Sequence, residues 1–387
     1  MTVGYLLHTP GLLAVAGLMG IVLVAAGLWN RAALRSLSYQ RRLHFRRAFP
    51  GEKVPLDIRV ENRKLLPLAW LRTSDRWPMS IAPEDEASLA PSPVPGEGLL
   101  GMVLVMRGFE RIRRHNELVF RKRGVYSVGP ATASSGDPFG LFQREAIVQE
   151  AERVVVFPEL VPLKELGLPA DDPFGGRRSR RRLYEDSSQS IGVREYRAQD
   201  GFRRIHWSAT ARTGRLQTRV YQPVSGLDLL ICLNAATYER HWEGTRPKLF
   251  EALLGTAASL ATQAFSDGFR VGLISNGSIA HADRPFRIPP SRAREHLPRL
   301  LEALAGLTPL ITVRFERYLL AQAPRLEYGS SLLVVSAVTT PMLFEALLRL
   351  RARCRRTTLV SLAEEPPTWI PGVEIFHRPF LADRTAV

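Results

Sequence analysis

Residues 227–234 read LDLLICLN, a continuous apolar run of strand length. The segment 247–265 that follows places its apolar residues on one helical face: Leu249, Leu253, Leu254, Ala257, Leu260, Ala261 and Ala264. The alternation continues with strands at 269–275, 331–338 and 357–362, and with helices at 291–307 and 340–354. Apolar strands that alternate with helices indicate a parallel sheet covered on both faces. The pattern therefore predicts a doubly wound α/β domain over residues 227–387.

The stretch before this domain, residues 194–214, reads REYRAQDGFRRIHWSATARTG. Apolar residues recur at helical spacing from Phe202 to Ala209, and Gly214 fits the position just after a helix. Asp200 is a candidate N-cap that would accept free backbone N–H groups. We predict a short helix between two strands.

The residues of this stretch allow three interpretations: catalysis, a nucleic-acid contact and a structural role. Catalysis would use His206 and Ser208 with Asp200, but there is no GxSxG motif and no evident oxyanion hole. A nucleic-acid contact would use the arginines, but no nucleic-acid fold signature accompanies them. The favoured interpretation is structural. Trp207 would fill an apolar slot between the β and α/β domains, and Asp200 would face Arg203 and Arg212.

The run 191–216 resembles the hallmark segment of the domain of unknown function 58 family. The matching residues are Arg194, Tyr196, Asp200, Arg203, Ile205, Trp207, Ala211, Arg212 and Gly214. The chain departs from the family pattern at Gln199, where the family has glycine. A second match, RGVYSVGPATASSGDPFGLFQ at 123–143, contains the family's Asp-Pro-Phe-Gly motif: Asp137, Pro138, Phe139 and Gly140. Together these residues are assigned a structural or partner-binding role.

The resemblance implies that the α/β part is similar to a von Willebrand factor A domain. Such domains can bind Mg²⁺ through a DxSxS motif, which supplies hard oxygen ligands. Leu233, Ala235 and Thr237 occupy those positions here, so we predict a degenerate site with no bound metal or cofactor. The resemblance also suggests a MoxR-type AAA+ ATPase as partner. The chain itself has no GxxxxGK[ST] motif for binding ATP.

Upstream, residues 31–165 contain short apolar runs separated by Gly and Pro, which predict an antiparallel β-sandwich-like domain. In the run 53–62, KVPLDIRVEN, apolar and polar residues alternate as in a half-buried strand. Residues 166–226 are interpreted as an arginine-rich connector followed by the hallmark segment. Its run DDPFGGRRSRRRLYED is interpreted as a solvated loop, with contact to lipid headgroups as the alternative.

The N-terminus, residues 1–30, is predicted to be a single transmembrane anchor. Its first 29 residues contain no Lys, Arg, Asp or Glu, and about 20 apolar residues suffice to span a bilayer. The basic residues follow the apolar run instead: Arg31, Arg35, Arg41, Arg42, Arg46 and Arg47. By the positive-inside rule, the chain after the anchor is expected in the cytoplasm of a single-pass protein.

The formal net charge of +16 allows nucleic acid or an anionic membrane as partner. The two cysteines, Cys232 and Cys354, form no zinc or disulfide pattern. Cys354 is interpreted as a helix cysteine with no special role, and the alternative is a thiolate favoured by the arginines around it. We expect a membrane-anchored, non-enzymatic interaction or assembly factor that acts with a MoxR-type ATPase. The alternatives are a hydrolase-like enzyme with a site between the two domains, and a nucleic-acid-binding protein.

Overall fold

A computed structural model describes residues 10–84, 88–166, 174, 184–197, 200–224, 228–279, 284–327 and 329–380. The chain divides into two compact units, Met1–Phe157 and Pro158–Val387. Most of the arginine-rich run, together with Gln199, lies outside the described residues.

The first unit begins with helix α1, Pro10–Ala33, which is almost wholly apolar. Its 24 residues would extend about 36 Å, which exceeds the roughly 30 Å hydrocarbon thickness of a bilayer. The helix is therefore long and apolar enough to span a membrane, a criterion that an N-terminal signal sequence also meets. Near its end, Ala26 and Ala33 are buried.

The rest of this unit consists of β-strands. They are β1 (Leu37–Leu43), β2 (Arg47–Ala48), β3 (Lys53–Asn62), β4 (Leu68–Pro78), β5 (Ile81–Pro83), β6 (Leu89–Pro91), β7 (Glu97–Met106), β8 (Arg111–Phe120), β9 (Gly124–Val128), β10 (Ala131–Gly136), β11 (Gln143–Gln149) and β12 (Glu152–Val156). They form three sheets, ordered β1-β3-β8-β5, β11-β10-β4-β7-β6 and β2-β12-β9. Only the pair β2–β12 is parallel among these described strands.

One hydrophobic core draws side chains from all three sheets. The predicted alternation in β3 is confirmed, because Val54, Leu56, Ile58 and Val60 are buried. Trp77 of β4 is among the largest side chains that are completely buried. The coarse prediction of a sheet-rich body after one apolar helix is therefore correct.

An ion pair lies inside this core. The Arg41 Nη1 donates to Asp75 Oδ1 at 2.6 Å, and both side chains are inaccessible to solvent. The Arg41 Nη2 also donates to the carbonyls of Val128, at 3.0 Å, and Glu150, at 3.3 Å. The Tyr39 hydroxyl donates to Asp75 Oδ2 at 3.2 Å. In the sequence, Arg41 belongs to the basic residues that follow the anchor, but in the folded unit it is a buried structural cation.

The second unit contains a hairpin and an α/β body. Its strands are β13 (Tyr184–Glu195), β14 (Gln217–Val224), β15 (Asp228–Leu233), β16 (Arg270–Ile279), β17 (Pro285–Ser291), β18 (Leu307–Ile311), β19 (Ser331–Ser336), β20 (Arg356–Ser361) and β21 (Glu374–His377). Its α-helices are α2 (Trp207–Thr213), α3 (Pro247–Ser266), α4 (His296–Ala305), α5 (Phe315–Gln322) and α6 (Pro341–Arg351). Short 3₁₀ turns occur at Leu163–Leu166, Phe202–Arg204, His241–Glu243 and Ala323–Arg325.

The large sheet has the order β17-β16-β15-β19-β20-β21, and β18 also pairs with β16. The parallel strands of this sheet are β16, β15, β19, β20 and β21. Strands β17 and β18 run antiparallel to β16. Every residue of β15 is buried. Leu230 and Cys232 face a core that includes residues of α5 and α6. Helix α3 also packs on β15, with residues outside that core, so both faces of the sheet are covered.

The predicted helix 291–307 is shorter than expected. Residues up to Ser291 form β17 instead, and α4 begins only at His296. Helix α5 and the strands β17, β18 and β21 were not predicted. They have few consecutive apolar residues, and β17 contains two adjacent prolines that weaken a strand signal.

Candidate functional site: the hallmark hairpin and the carboxyl edge of the sheet

The hallmark residues connect the two strands of a hairpin. Strands β13 and β14 pair antiparallel, with Arg194 opposite Thr218 and Glu195 opposite Gln217. The connection contains the 3₁₀ turn Phe202–Arg204 and then helix α2. Ile205 lies between them, is buried and forms a bridge to Thr218. The predicted strand, short helix and strand are observed, but the helix begins later, at Trp207.

Hydrogen bonds to Asp200 stabilise the start of this connection. Its carboxylate accepts two hydrogen bonds from Arg194, Nη1 at 2.8 Å and Nη2 at 2.6 Å. It also accepts one from the backbone N–H of Arg197, at 2.9 Å. These donors, with Arg194 first, hold the pKa of Asp200 below its ordinary value. Asp200 therefore remains ionised at neutral pH and fixes the turn to strand β13.

The expectation that Asp200 caps the helix is wrong, and the arginine that the structure shows bound to Asp200 is neither Arg203 nor Arg212 but Arg194. The cap is His206, whose Nδ1 accepts a hydrogen bond from the Ala209 N–H at 3.2 Å. The bidentate partner of Asp200 is Arg194, and Arg212 is exposed on α2. The Arg203 side chain lies outside the described residues.

Gly214 ends helix α2 as predicted. It adopts the left-handed conformation with φ of 68°, and its N–H donates to the Thr210 carbonyl at 2.9 Å. A residue with a side chain is strained in this conformation.

His206 and Ser208 contact one another, but their geometry is that of a helix cap. The Ser208 Oγ lies 3.0 Å from His206 Nδ1, the same nitrogen that accepts from the backbone of Ala209. A nucleophilic triad needs the second ring nitrogen oriented by a third group. Among the described residues, His206 makes no hydrogen bond to a carboxylate. The pair therefore resembles a capping arrangement more closely than an activated nucleophile.

Two aromatic side chains of the segment point into solvent. Trp207 is 68% exposed and Phe202 is 77% exposed. Trp207 is therefore not buried within the second unit, because α2 buries none of its residues and the apolar contact to the hairpin comes from Ile205 instead. A slot for Trp207 between the β and α/β domains stays a prediction. Around the two aromatics, Tyr196 is half-buried with its ring 5.9 Å from that of Phe202, and Ala211 is exposed.

The second motif, in the first unit, forms a tight turn between β10 and β11. The buried Asp137 carboxylate accepts from the backbone N–H groups of Phe139 at 2.9 Å, Leu141 at 3.3 Å and Phe142 at 2.6 Å. Desolvation raises the pKa of Asp137, but these donors outweigh it and leave the pKa below its ordinary value. Gly140 adopts φ of 74° in the turn, and Pro138 and Phe139 are exposed. The motif is therefore a self-contained turn that presents Phe139 outward.

Polar side chains meet at the carboxyl edge of the parallel sheet in the second unit. The Asn234 Nδ2 donates to Ser336 Oγ at 3.0 Å, and the Asn276 Nδ2 donates to Asn234 Oδ1 at 3.2 Å. The Ala235 and Ala236 N–H groups donate to Asn276 and Asn234. A cavity of about 330 Å³ opens beside Asn234 and Asn276. It is lined further by Glu239, Arg240, Trp242, Arg314, Glu316, Thr340 and Met342.

These residues are a poor match to a Mg²⁺ site. Leu233 and Ala235 are buried and carry no ligand atom, and the Thr237 Oγ1 accepts from the Arg246 N–H at 2.9 Å. The amide oxygens of Asn234 and Asn276 are already hydrogen-bonded to the protein. Across the described ranges, no group of three His, Cys, Asp or Glu side chains could hold a metal. The side-chain oxygens of Asn234, Asn276 and Thr237 are therefore already engaged by hydrogen bonds within the protein.

Burial raises the pKa of the Cys354 thiol to about 11, so the thiolate suggested by its arginine neighbours is not favoured. Cys232 is completely buried in β15. Neither cysteine provides a reactive site.

The hallmark segment lies within a region that matches a known protein family. Residues 192–373 match the family described as Protein of unknown function DUF58. The resemblance inferred from the sequence is thereby confirmed for this region. The chain is also 21% identical over 289 residues to the uncharacterized protein YeaD of Bacillus subtilis (strain 168). That alignment covers 72% of this chain and 65% of YeaD, so the chain spans somewhat less than two thirds of that relative.

Two solved structures resemble about a third of the chain each. AvmM, which catalyzes macrocyclization in alchivemycin A biosynthesis, is 13% identical with a TM-score of 0.21. The match covers 33% of this chain and 93% of AvmM. A non-cellulosomal cohesin from the archaeon Archaeoglobus fulgidus is 10% identical with a TM-score of 0.21, covering 34% of this chain and 96% of the cohesin. Likeness at this level gives no argument about function.

Proposed function

We propose that this chain is a membrane-anchored protein that binds other proteins and assists their assembly without catalysing a reaction. The partner suggested by the family resemblance is a MoxR-type AAA+ ATPase. The chain has no GxxxxGK[ST] motif, so the ATPase would supply nucleotide hydrolysis.

The observation that carries the proposal is the pair of exposed aromatics on the hallmark hairpin. Phe202 and Trp207 project from a connection that is held by Asp200, His206 and Gly214. Trp, Tyr and Arg are enriched among the residues that contribute most to binding between proteins. A fixed backbone lowers the entropic cost of binding such side chains. The segment therefore has the chemistry of a protein-binding surface.

The anchor is proposed to remain part of the mature protein. Ala33, the last residue of α1, is packed in the hydrophobic core of the first unit. Its carbonyl accepts a hydrogen bond from Lys64 Nζ at 2.7 Å. Cleavage of α1 as a signal sequence would remove these contacts. With arginines following the helix, the chain after α1 is proposed to lie in the cytoplasm as a single-pass protein.

The second unit is proposed to be a von Willebrand factor A-like domain with a degenerate metal site. Support comes from its mainly parallel sheet, covered on both faces, and from the cleft at the carboxyl edge of β15 and β19. Ligands of open α/β sheets bind outside this edge. Without a metal, this edge would serve as a second surface for protein contacts.

The enzyme alternative has one observation in its favour, the 3.0 Å contact between Ser208 and His206. If the pair were catalytic, Ser208→Ala would abolish function in cells while the folded protein and its partner binding persisted. If the pair is a cap, Ser208→Ala will leave function intact.

A photocrosslinker tests the partner surface in the full-length protein in its native membrane. It is placed at Trp207 and, as a matched control, at Trp369, another exposed tryptophan of the second unit. We expect a crosslink from position 207 to a MoxR-type ATPase, and none from position 369. Identical products from both positions, or no ATPase at position 207, would overturn the proposal.

A further inference from the structure

Three loops of the first unit lie at the same end of its sheets. They are residues 63–67 between β3 and β4, residues 107–110 between β7 and β8, and residues 137–142 between β10 and β11; we call them the helix-end loops. The strand register shows this arrangement. Asn62, at the end of β3, pairs with Leu37 at the start of β1, and Leu68 pairs with Met106. In the same sheet, Ser135 of β10 pairs with Leu71 of β4, so β10 ends on this side as well.

Helix α1 ends at this same place. Lys64, in the first helix-end loop, donates from Nζ to the carbonyl of Ala33, the last residue of the helix. The Arg63 N–H donates to the Ser36 carbonyl at 3.0 Å. Helix α1 also packs beside β10 and β11, which flank the third loop. The apolar helix and the three loops therefore share one end of the unit.

Each of the three loops exposes a large apolar side chain: Leu65, Phe109, and Phe139 with Leu141. Phe109 is 67% exposed and Phe139 is 65% exposed. Hydrogen bonds fix these positions. The Phe109 N–H donates to the Lys64 carbonyl at 3.1 Å, and Asp137 binds the backbone of the third loop. Exposed apolar side chains held in place by hydrogen bonds indicate a contact surface.

The chemistry of this end fits a lipid bilayer. Aromatic side chains favour the boundary between hydrocarbon and water, where amphipathic rings and headgroups meet. Exposed arginines lie on the same loops and at the helix end: Arg31, Arg35, Arg63 and Arg107. Each basic residue near an anionic surface is attracted to it. Because α1 ends among these loops, a membrane spanned by α1 would meet them directly.

We propose that the helix-end loops insert Leu65, Phe109 and Phe139 into the headgroup region of the membrane that α1 spans. The first unit would thereby contact the bilayer through helix α1 and through the three helix-end loops, and not through the helix alone. This inference rests on α1 being a membrane anchor, and it is independent of which protein the second unit binds.

The test measures membrane depth in the full-length protein reconstituted into vesicles of phosphatidylcholine and phosphatidylglycerol. Cys354→Ala leaves the buried Cys232 as the remaining native cysteine. Single cysteines are then introduced as Phe109→Cys, Phe139→Cys, Leu18→Cys and Val94→Cys, and labelled with an environment-sensitive dye. Leu18 lies in α1. Val94 lies before β7, about 30 Å along that strand from the helix-end loops.

Vesicles that carry a nitroxide on the lipid headgroup quench dyes at the membrane surface. We expect loss of fluorescence at positions 109 and 139 and none at position 94. Nitroxides on the acyl chain should quench position 18. The proposal would be overturned, and the anchor left intact, if the dyes at positions 109 and 139 were as fluorescent as the dye at position 94 while the dye at position 18 was quenched. Dyes at 109 and 139 that are shielded from water but not quenched would assign the surface to a protein and also overturn it. An unquenched position 18 would refute the anchor and the proposal together.

Discussion

Replacing Asp75 by alanine should strongly destabilise the first unit. The substitution leaves the Arg41 guanidinium buried without its nearest anionic partner. Arg41 then retains the carbonyls of Val128 and Glu150 and the more distant carboxylate of Glu152, whose Oε1 lies 3.8 Å from Arg41 Nη2. Stranding a buried charge in this way costs about 3–5 kcal/mol. For a unit of 157 residues, each kcal/mol lowers the Tm by about 2–4 °C, so the expected fall is about 6–20 °C.

The assay is thermal unfolding of the full-length protein in detergent. It also compares Glu84→Ala, Arg41→Met, Asp75→Leu and the double variant that combines Arg41→Met with Asp75→Leu. Glu84→Ala removes an exposed ion pair with Lys53 and should leave the Tm nearly unchanged. Arg41→Met combined with Asp75→Leu removes both charges, and should cost less than the two single substitutions added together. A Tm for Asp75→Ala equal to that of Glu84→Ala would refute the reasoning. So would a double variant as unstable as the sum of the single ones.

Three further predictions concern the second unit. His206→Ala should raise the hydrogen-exchange rate of the α2 amides, because loss of the cap destabilises the helix by about 0.5–2 kcal/mol. His206→Asn should restore protection, since asparagine is a good N-cap residue. Equal exchange rates in the two variants would contradict the cap. Burial, with Glu327 adjacent, raises the pKa of Asp228 to about 7, above the ordinary value of about 3.9, so the native state holds this proton more tightly. Stability should therefore fall as the pH rises from about 4 to 7, and Asp228→Asn should flatten that dependence in urea unfolding at several pH values; an unchanged slope would be evidence against it. Millimolar Mg²⁺ should leave the Tm unchanged, since a ligand of the native state must raise it, and a saturable rise would contradict the degenerate metal site.

The sequence predicted the elements whose periodicity is strong. Strand β3 has the predicted bounds, and α3 begins at the predicted Pro247. Both predictions rest on the spacing of apolar residues along one face of the element, and in β3 and α3 the folded structure buries that face. The edge elements β17, β18 and β21 were missed, because pairing with a neighbour and not local composition makes them strands.

The buried ion pair was missed although the sequence contained a signal for it. In β1, Tyr39 and Arg41 share the inward face by period two, as do Thr73 and Asp75 in β4. In a single strand, a charged residue on the inward face contradicts the expected pattern, in which that face is apolar. Only the pairing of the two sheets around one core shows that the two charges meet.

The hallmark segment was predicted in outline but not in its contacts. Its residue types identified a strand, a short helix and a Gly214 terminus. They did not identify which arginine binds Asp200, since Arg194, Arg203 and Arg212 are equivalent in charge. The register of β13 and β14 positions Arg194 for that role, and the late start of α2 leaves Trp207 in solvent.

The most direct test of the proposed function is the affinity of the detergent-solubilised, full-length protein for a purified MoxR-type ATPase from the same cells. The comparison is between the unaltered protein, Phe202→Ala with Trp207→Ala, and Trp369→Ala as the exposed-tryptophan control. Each interface hot spot contributes about 2 kcal/mol or more, which is about thirtyfold in Kd, so loss of both aromatics should raise the Kd by at least about thirtyfold. The control should bind like the unaltered protein, and all three should have the same Tm. Absence of binding by the unaltered protein, or equal affinity of all three proteins, would contradict the proposal.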